Sequence, residues 1–329
     1  MVLTFDFSAD DLARTHFACS PLWEAVESLR VRQDPAAAVV HGPWMEASAR
    51  RLDGFALDEL LALVPPEGYI PDFLTPPPDA AFPSMETEFE RLRATPPERV
   101  RADVARRFAG GPLPAIARPY LDQPARALQR LVALLGEYWE RGLEPEWPRI
   151  RGLLEREVTE RARQQALEGT GSLLADLHPA VTWRSGRLSV RGRHKGRVRL
   201  GGRGLTVIPN VFVWPLACSM VADPWPPALV YPPRGVGSLW APRIGDGQAA
   251  LDALLGRTRA TVLRALDGPC STTELARRME LTPGAVSLHL TVMHDAGLLI
   301  RQRTGRLVLY RPSTIGEALL AAVSDGASD

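Results

Sequence analysis

The chain has 329 residues, long enough for two domains of about 100–200 residues each, and its 45% hydrophobic, 23% charged composition excludes wholesale disorder. No apolar run approaches the roughly 18 residues of a membrane span, Met1–Phe7 lacks the basic run of a secretory signal, and three scattered cysteines (Cys19, Cys218, Cys270) exclude a disulfide framework, which points to a reducing cytoplasm. The net charge of +1 excludes a global polyelectrolyte, but Lys195 is the only lysine, so any basic patch presents arginine forks that suit phosphates and base edges.

The first segment, about Ser8 to Leu63, is expected to be helical, with Ser20 capping a helix that begins at Pro21. From Pro65 to Pro83 prolines crowd around Pro76-Pro77-Pro78, which predicts a long surface loop. Helical periodicity returns from Glu86 to Phe108, from Ala125 to Trp139 and from Trp147 to about Leu177. At Val181 the pattern changes to alternation: Trp183–Val190 about a glycine turn, then Arg197–Leu200 and Leu205–Ile208, predict two or three antiparallel strands. Val211–Trp214 and Leu229–Tyr231 also look strand-like, and Gly201, Gly202 and Gly204 read as a turn.

Arg184 to Arg203 holds seven arginines and Lys195 with no acid, which either grips flanking DNA or forms a solvated hairpin paired with acids from Glu137 to Glu168. His16, His41 and His178 suit satisfied core or surface positions better than ligand roles. The eight tryptophans either pack the core or line an apolar pocket for a small-molecule effector. The fold class expected is therefore α+β: a mainly helical N-terminal domain with β-hairpins (1–240, effector-sensing or dimerising), then a smaller C-terminal domain of a different kind (241–329).

That second domain opens with an apolar-periodic helix over residues 249–266. After Gly268-Pro269, Ser271-Thr272-Thr273-Glu274 forms a capping box that starts a short helix to Met279. Glu280-Leu281 make a turn, Thr282 caps a second helix beginning at Pro283, and Gly297 ends it. Two short helices across such a turn constitute a helix-turn-helix. On a wheel, Val286, Leu290 and Met293 form one apolar stripe, while Gly284, Ser287, Leu288 and Thr291 point away. This outward face is small enough to enter a major groove about 12 Å wide. Ser287 and Thr291 suit base edges or phosphates, Ala285 and Leu288 a thymine methyl, and His289 a phosphate. Thr272, Thr273 and Thr282, at the helix starts, join the candidate DNA contacts.

Leu298–Arg303 and Arg306–Arg311 then form a hairpin about Thr304-Gly305, a wing whose Arg301, Arg303 and Arg306 suit phosphates or the minor groove. From Gly256 to Arg311 nine arginines face four acids, so an almost neutral protein concentrates positive charge in this segment. Hydrolase, P-loop, metalloprotease and dinucleotide-binding signatures are missing, so no catalytic residues or cofactors are assigned. His289 and His294, about 140° apart around their helix, cannot share a metal.

Thr273–Met279, Pro283–Leu290 and Ala296–Leu299 together resemble the ArsR-type winged-helix transcription regulators, most specifically in Ser287-Leu288-His289-Leu290 followed by Ala296-Gly297-Leu298. The resemblance implies a homodimeric repressor on a near-palindromic duplex, pairing through its terminal helices, Gly247–Leu266 and Thr314–Val323. It also implies a departure, because Cys270 stands alone at one usual metal place and Ile315–Val323 holds Glu317 but no His or Cys. Arg14–Glu24, Gly202–Leu205 and Val211–Pro215 resemble the front half of large actinobacterial regulators of this type, which implies architecture but no ligand. Two other functions stay open: a protein-binding front domain tethered to DNA, and an enzyme in that front domain.

Overall fold

The structure, a computed structural model, describes residues 1–192, 194–240, 247–304 and 307–324. Residue packing divides the chain into two units, Met1–Trp240 and Ala241–Asp329.

In the first unit the helix Pro21–Val31 runs through the middle of the core. Ser20 caps it, its hydroxyl accepting from the Trp23 N–H at 3.0 Å, and Pro21 occupies the first helical position. Leu22, Ala25, Val26 and Leu29 are fully buried, and of the whole helix only Arg30 reaches water. The long helix Pro124–Gly142 is amphipathic instead, and lays Leu128, Leu131, Leu135 and Tyr138 into the same core. Tyr138 and Ser28 join the two helices by a hydroxyl–hydroxyl hydrogen bond of 2.7 Å.

The proline-rich stretch is a surface loop only at its ends, where Pro66–Gly68 and Asp79–Phe82 are exposed. Pro71 and Phe73–Pro78 are buried, and a short 3-10 turn covers Asp72–Leu74. Burial of a loop requires partners for its backbone, and three side chains provide them. Trp23 donates to the Pro76 carbonyl (3.1 Å), Arg91 donates to Pro77 (2.8 Å), and Asp103 accepts from the Phe73 N–H (3.0 Å). Proline lowers the number of N–H groups that need such help, which suits this composition to the inside of a mainly helical unit.

Two four-stranded sheets complete the unit. Its strands are β1 (Val2–Asp6), β2 (His16–Phe17), β3 (Val181–Arg184), β4 (Arg187–Arg191), β5 (Gly196–Arg199), β6 (Thr206–Pro209), β7 (Cys218–Met220) and β8 (Ala228–Tyr231). One sheet has the order β3-β4-β1-β5, with β1 antiparallel to β4 and parallel to β5. The other has the order β2-β6-β8-β7. The β3–β4 hairpin forms as expected, whereas 197–200 and 205–208 are not partners and lie in different sheets. The glycine turn between them separates them. One Asp11 carboxylate oxygen accepts from the N–H groups of Gly202 (2.7 Å) and Gly204 (3.1 Å), and a Cβ on Gly204 would fall 2.7 Å from the Arg14 backbone. Val211–Trp214 is a turn and not a strand, because Asn210 accepts from the Val213 N–H (2.9 Å) while Glu24 takes the Val211 N–H (2.8 Å).

The arginines of 184–203 find acids other than those anticipated. Arg187 and Arg197 both pair with Asp6, at 3.4 and 2.9 Å, and Arg203 lies 3.8 Å from Asp223. Glu157, on the helix Trp147–Glu168, instead holds Arg161, Arg234 and the Tyr231 hydroxyl. The tryptophans pack the core: Trp44, Phe212 and Trp240 lie ring on ring about His41, whose Nδ1 accepts from the Trp240 indole N–H at 3.0 Å.

Two buried carboxyls give the unit a pH dependence. Burial pushes Glu24 up to about 8 and Glu88 up to about 7, against an ordinary 4.5. The native state thus keeps protons that the unfolded chain has lost, so stability falls as pH rises through this range. His41, pushed down to about 4 by burial, contributes the opposite slope, but only below its unfolded value. Between about pH 6.5 and 8 the melting temperature of the full chain is therefore expected to fall, and Glu24→Gln is expected to flatten that fall. A melting series that is equally steep in the variant would refute the assignment.

Candidate nucleic-acid interface

The second unit begins with two helices where one was expected. Gly256, at φ +83°, breaks the apolar-periodic stretch into Gly247–Leu255 and Arg257–Arg264. After them come β9 (Cys270–Ser271) and the helix Thr272–Arg278, then the helix Pro283–Asp295. The wing strands β10 (Leu299–Thr304) and β11 (Leu307–Pro312) and the helix Thr314–Ser324 complete the unit. The three strands form one sheet in the order β10-β11-β9. This is the winged helix-turn-helix arrangement.

Each boundary has a local cause. Ser271 accepts from the Glu274 N–H (3.3 Å), which caps the first helix of the pair. The reciprocal half of the expected capping box is not made, because the Glu274 carboxylate accepts from Arg278 at 2.9 Å. Glu280, at φ +56°, turns the chain, and the Leu281 N–H reaches the Ala276 carbonyl at 3.0 Å. Thr282 then caps the second helix through the Ala285 N–H (3.3 Å), with Pro283 at the first position. Gly297, at φ +75°, ends it.

The packing separates the two faces of that helix. Val286, Leu290 and Met293 are at most 1% exposed and pack among Val262, Leu263, Leu275, Leu299 and Tyr310. Gly284, Ser287, Leu288 and Thr291 are exposed, and Ala285 and His289 are half-buried at the border. Leu288 leaves 65% of its surface in water. The Thr291 hydroxyl donates to the Ser287 carbonyl at 2.9 Å, so its oxygen remains as an acceptor on the open face. At the start of the first helix Thr273 is exposed and Thr272 half-buried, while Thr282 is exposed at the start of the second.

The wing brings Arg301 and Arg303 to one side of its hairpin, since residues two apart share a face. They stand opposite Tyr310 and Val308 and are exposed. Arg306 and the hairpin tip at Gly305 lie outside the described residues. Arg264 pairs with Asp252 (2.8 Å), and Arg278 with both Asp267 (3.2 Å) and Glu274 (2.9 Å). Among the described residues Arg277 and Arg301 have no acid within ion-pair distance, and both are exposed. Arg277 was not among the sequence candidates. Its signal was legible, because Glu274 and Asp267 lie within reach of Arg278 and leave the neighbouring arginine unclaimed. Among the described residues no three His, Cys, Asp or Glu side chains lie together as a metal would need. Cys270 is buried, which pushes its thiol up from the ordinary range.

Residues 254–302 match the family model of a helix-turn-helix domain, the segment just described. This C-terminal segment is an ArsR-type helix-turn-helix domain. Residues 87–236 match a second model, a family of unknown function (DUF5937), so this regulator joins that front domain to a DNA reader. A solved structure described as "Possible transcriptional regulator for arsenical resistance" is 31% identical over 24% of this chain and 81% of its own, with a TM-score of 0.20. No curated protein matches significantly. With this domain the chain is a DNA-binding transcription regulator. Among the described residues no helix is long and apolar enough to cross a membrane.

The left-handed backbone at Glu280 costs a side chain about 1–2 kcal/mol, and glycine removes most of that cost. Glu280→Gly is therefore expected to raise the melting temperature of the second unit by a few degrees and to leave duplex affinity within about twofold. A lowered melting point would show that the Glu280 side chain stabilises the turn.

Proposed function

We propose that this regulator is a sequence-specific homodimeric repressor acting in the cytoplasm. The recognition helix Pro283–Asp295 of each protomer lies in successive major grooves of a near-palindromic site, about one helical turn apart. The observation that carries this reading is the exposed, small-featured face Gly284–Ser287–Leu288–Thr291, backed by a fully buried stripe. A face of glycine, hydroxyls and one leucine admits close approach, and offers hydrogen-bonding groups to base edges and an apolar contact to a thymine methyl. Arg301 and Arg303 hold the backbone beside it, with Arg277 anchoring the first helix to phosphate. Pairing runs through the helices Gly247–Leu255 and Thr314–Ser324, which pack together and leave Leu254 69% and Ile315 63% exposed. The front unit receives the signal, a small-molecule effector that binds one spacing of the two readers better than the other.

Genome-wide footprinting of the purified protein tests the reading directly: protected sites are expected to be near-palindromes upstream of genes, and binding confined to random DNA at low salt would refute it. Arg301→Ala and Arg303→Ala are expected to weaken specific and random duplexes alike and to lower the salt slope by about one per lost phosphate contact. Ser287→Ala and Leu288→Ala are expected instead to cost about 1–3 kcal/mol of discrimination between sites while the salt slope stays. Leu254→Glu with Ile315→Glu is expected to give monomers in sedimentation and to abolish tight operator binding; a dimer that survives both changes would move the interface elsewhere.

A further inference from the structure

The sheet β3-β4-β1-β5 of the first unit has one dry face and one wet face. Leu3, Phe5, Val181, Leu188 and Val190 point into the core. The alternate residues therefore point out, and the strand register arranges them in rows. Arg184, Arg187, Asp6 and Arg199 form one row across the four strands. Thr182, Ser189, Thr4 and Arg197 form the next, with Thr4 and Ser189 hydroxyls 3.2 Å apart. Arg191, opposite Val2, begins a third. All five arginines are exposed. Asp6 is the one acid on this face and already serves Arg187 and Arg197. Among the described residues no carboxylate lies within ion-pair distance of Arg184, Arg191 or Arg199.

We infer that this outer face is a second DNA-binding surface, which takes the phosphate backbone of duplex DNA without reading its sequence. Guanidinium groups and hydroxyls are the side chains that meet phosphate and sugar oxygens. The face is about 14 Å across, from four strands at roughly 4.8 Å spacing. No aromatic ring stands on it, since Trp183 belongs to the inward set and packs edge-on to Phe7 at 5.1 Å. Single strands, which bind by stacking on such rings, are therefore disfavoured. Val2 is its one apolar side chain, too little to enter a bilayer. The choice of duplex DNA over other polyanions rests on the function proposed above, because a chain that carries a DNA reader keeps its other surfaces at high local concentration near the duplex. The sheet adds affinity and salt sensitivity, and the recognition helix supplies sequence.

The test uses the full chain with Arg184→Thr, Arg191→Thr and Arg199→Thr combined, three arginines that hold no carboxylate and a replacement that suits a strand. Binding to random duplexes of about 15 and about 60 base pairs is followed from roughly 50 to 300 mM salt. An unchanged melting temperature confirms that the variant is folded. The triple variant is expected to lose about tenfold or more in affinity for the longer duplex at the lowest salt. Its slope of log affinity against log salt is expected to drop by about 2–3, near 0.9 per phosphate released. Affinity and slope within twofold of the parent would overturn the inference, as would lost binding to phosphatidylserine vesicles or polyglutamate with DNA binding intact. A parallel variant, Arg277→Ala with Arg301→Ala, separates the two readings. If it changes nothing while the triple variant weakens binding, the sheet stands and the reader falls; the reverse outcome removes the sheet alone.

Discussion

The anchoring of one short helix by three side chains decides which face the second unit leaves open to solvent. Val286, Leu290 and Met293 recur at helical spacing and are removed from water almost completely. Each such burial stabilises by about 1.5–3 kcal/mol, more than a surface helix of 13 residues could supply from propensity. The stripe locks the helix in rotation as well as in place, because any turn about its axis would expose these groups and bury Ser287 or Thr291. The same contacts that fold the second unit therefore aim the exposed face proposed to read DNA. The wing is tied to this core too: Leu299 and Tyr310 lie within it, so Arg301 and Arg303 leave the sheet at a set distance from the helix.

The first unit is organised on a different balance. Its core encloses Glu24, Glu88, Asp103 and Glu157, each of which takes hydrogen bonds from groups that would otherwise be stranded. Glu24 is fully buried, and its carboxyl group replaces strand pairing for Val211 and Phe212. Burial without compensation would be costly, and the raised proton affinity of Glu24 and Glu88 is how that cost is reduced. A polypeptide so rich in proline and so sparing in regular sheet uses carboxylates and Asn210 as substitutes for missing ladder bonds.

Charge follows the same economy of placement. A chain with net charge +1 has no field worth naming at a distance, yet two surfaces are strongly basic. On each, the acids present pair with particular arginines and leave others uncovered: Arg278 satisfies Asp267 and Glu274 beside an open Arg277, and Asp6 holds Arg187 and Arg197 beside an open Arg184. Counting residues finds the excess, but only pairing shows where it is available.

Much of the second unit was determined by sequence alone, because its signals are local. Caps at Ser271 and Thr282, the glycine at 297 and the period of the apolar stripe all act within a few residues, and the hairpin register follows from alternation. The same holds for Ser20 and the β3–β4 turn. Tertiary structure decided the rest. Leu3 and Phe5 make a strand only because β4 and β5, nearly 200 residues away, lie on either side. Arg197–Leu200 and Leu205–Ile208 look like a hairpin until Asp11 captures the glycines between them. Pro71–Pro78 carries the composition of a surface loop but is buried, since Trp23, Arg91 and Asp103 arrive from distant helices to satisfy it. Local chemistry specifies which conformations a segment prefers; which partners relieve its unsatisfied groups depends on contacts between residues far apart in the chain, and no short-range pattern encodes those.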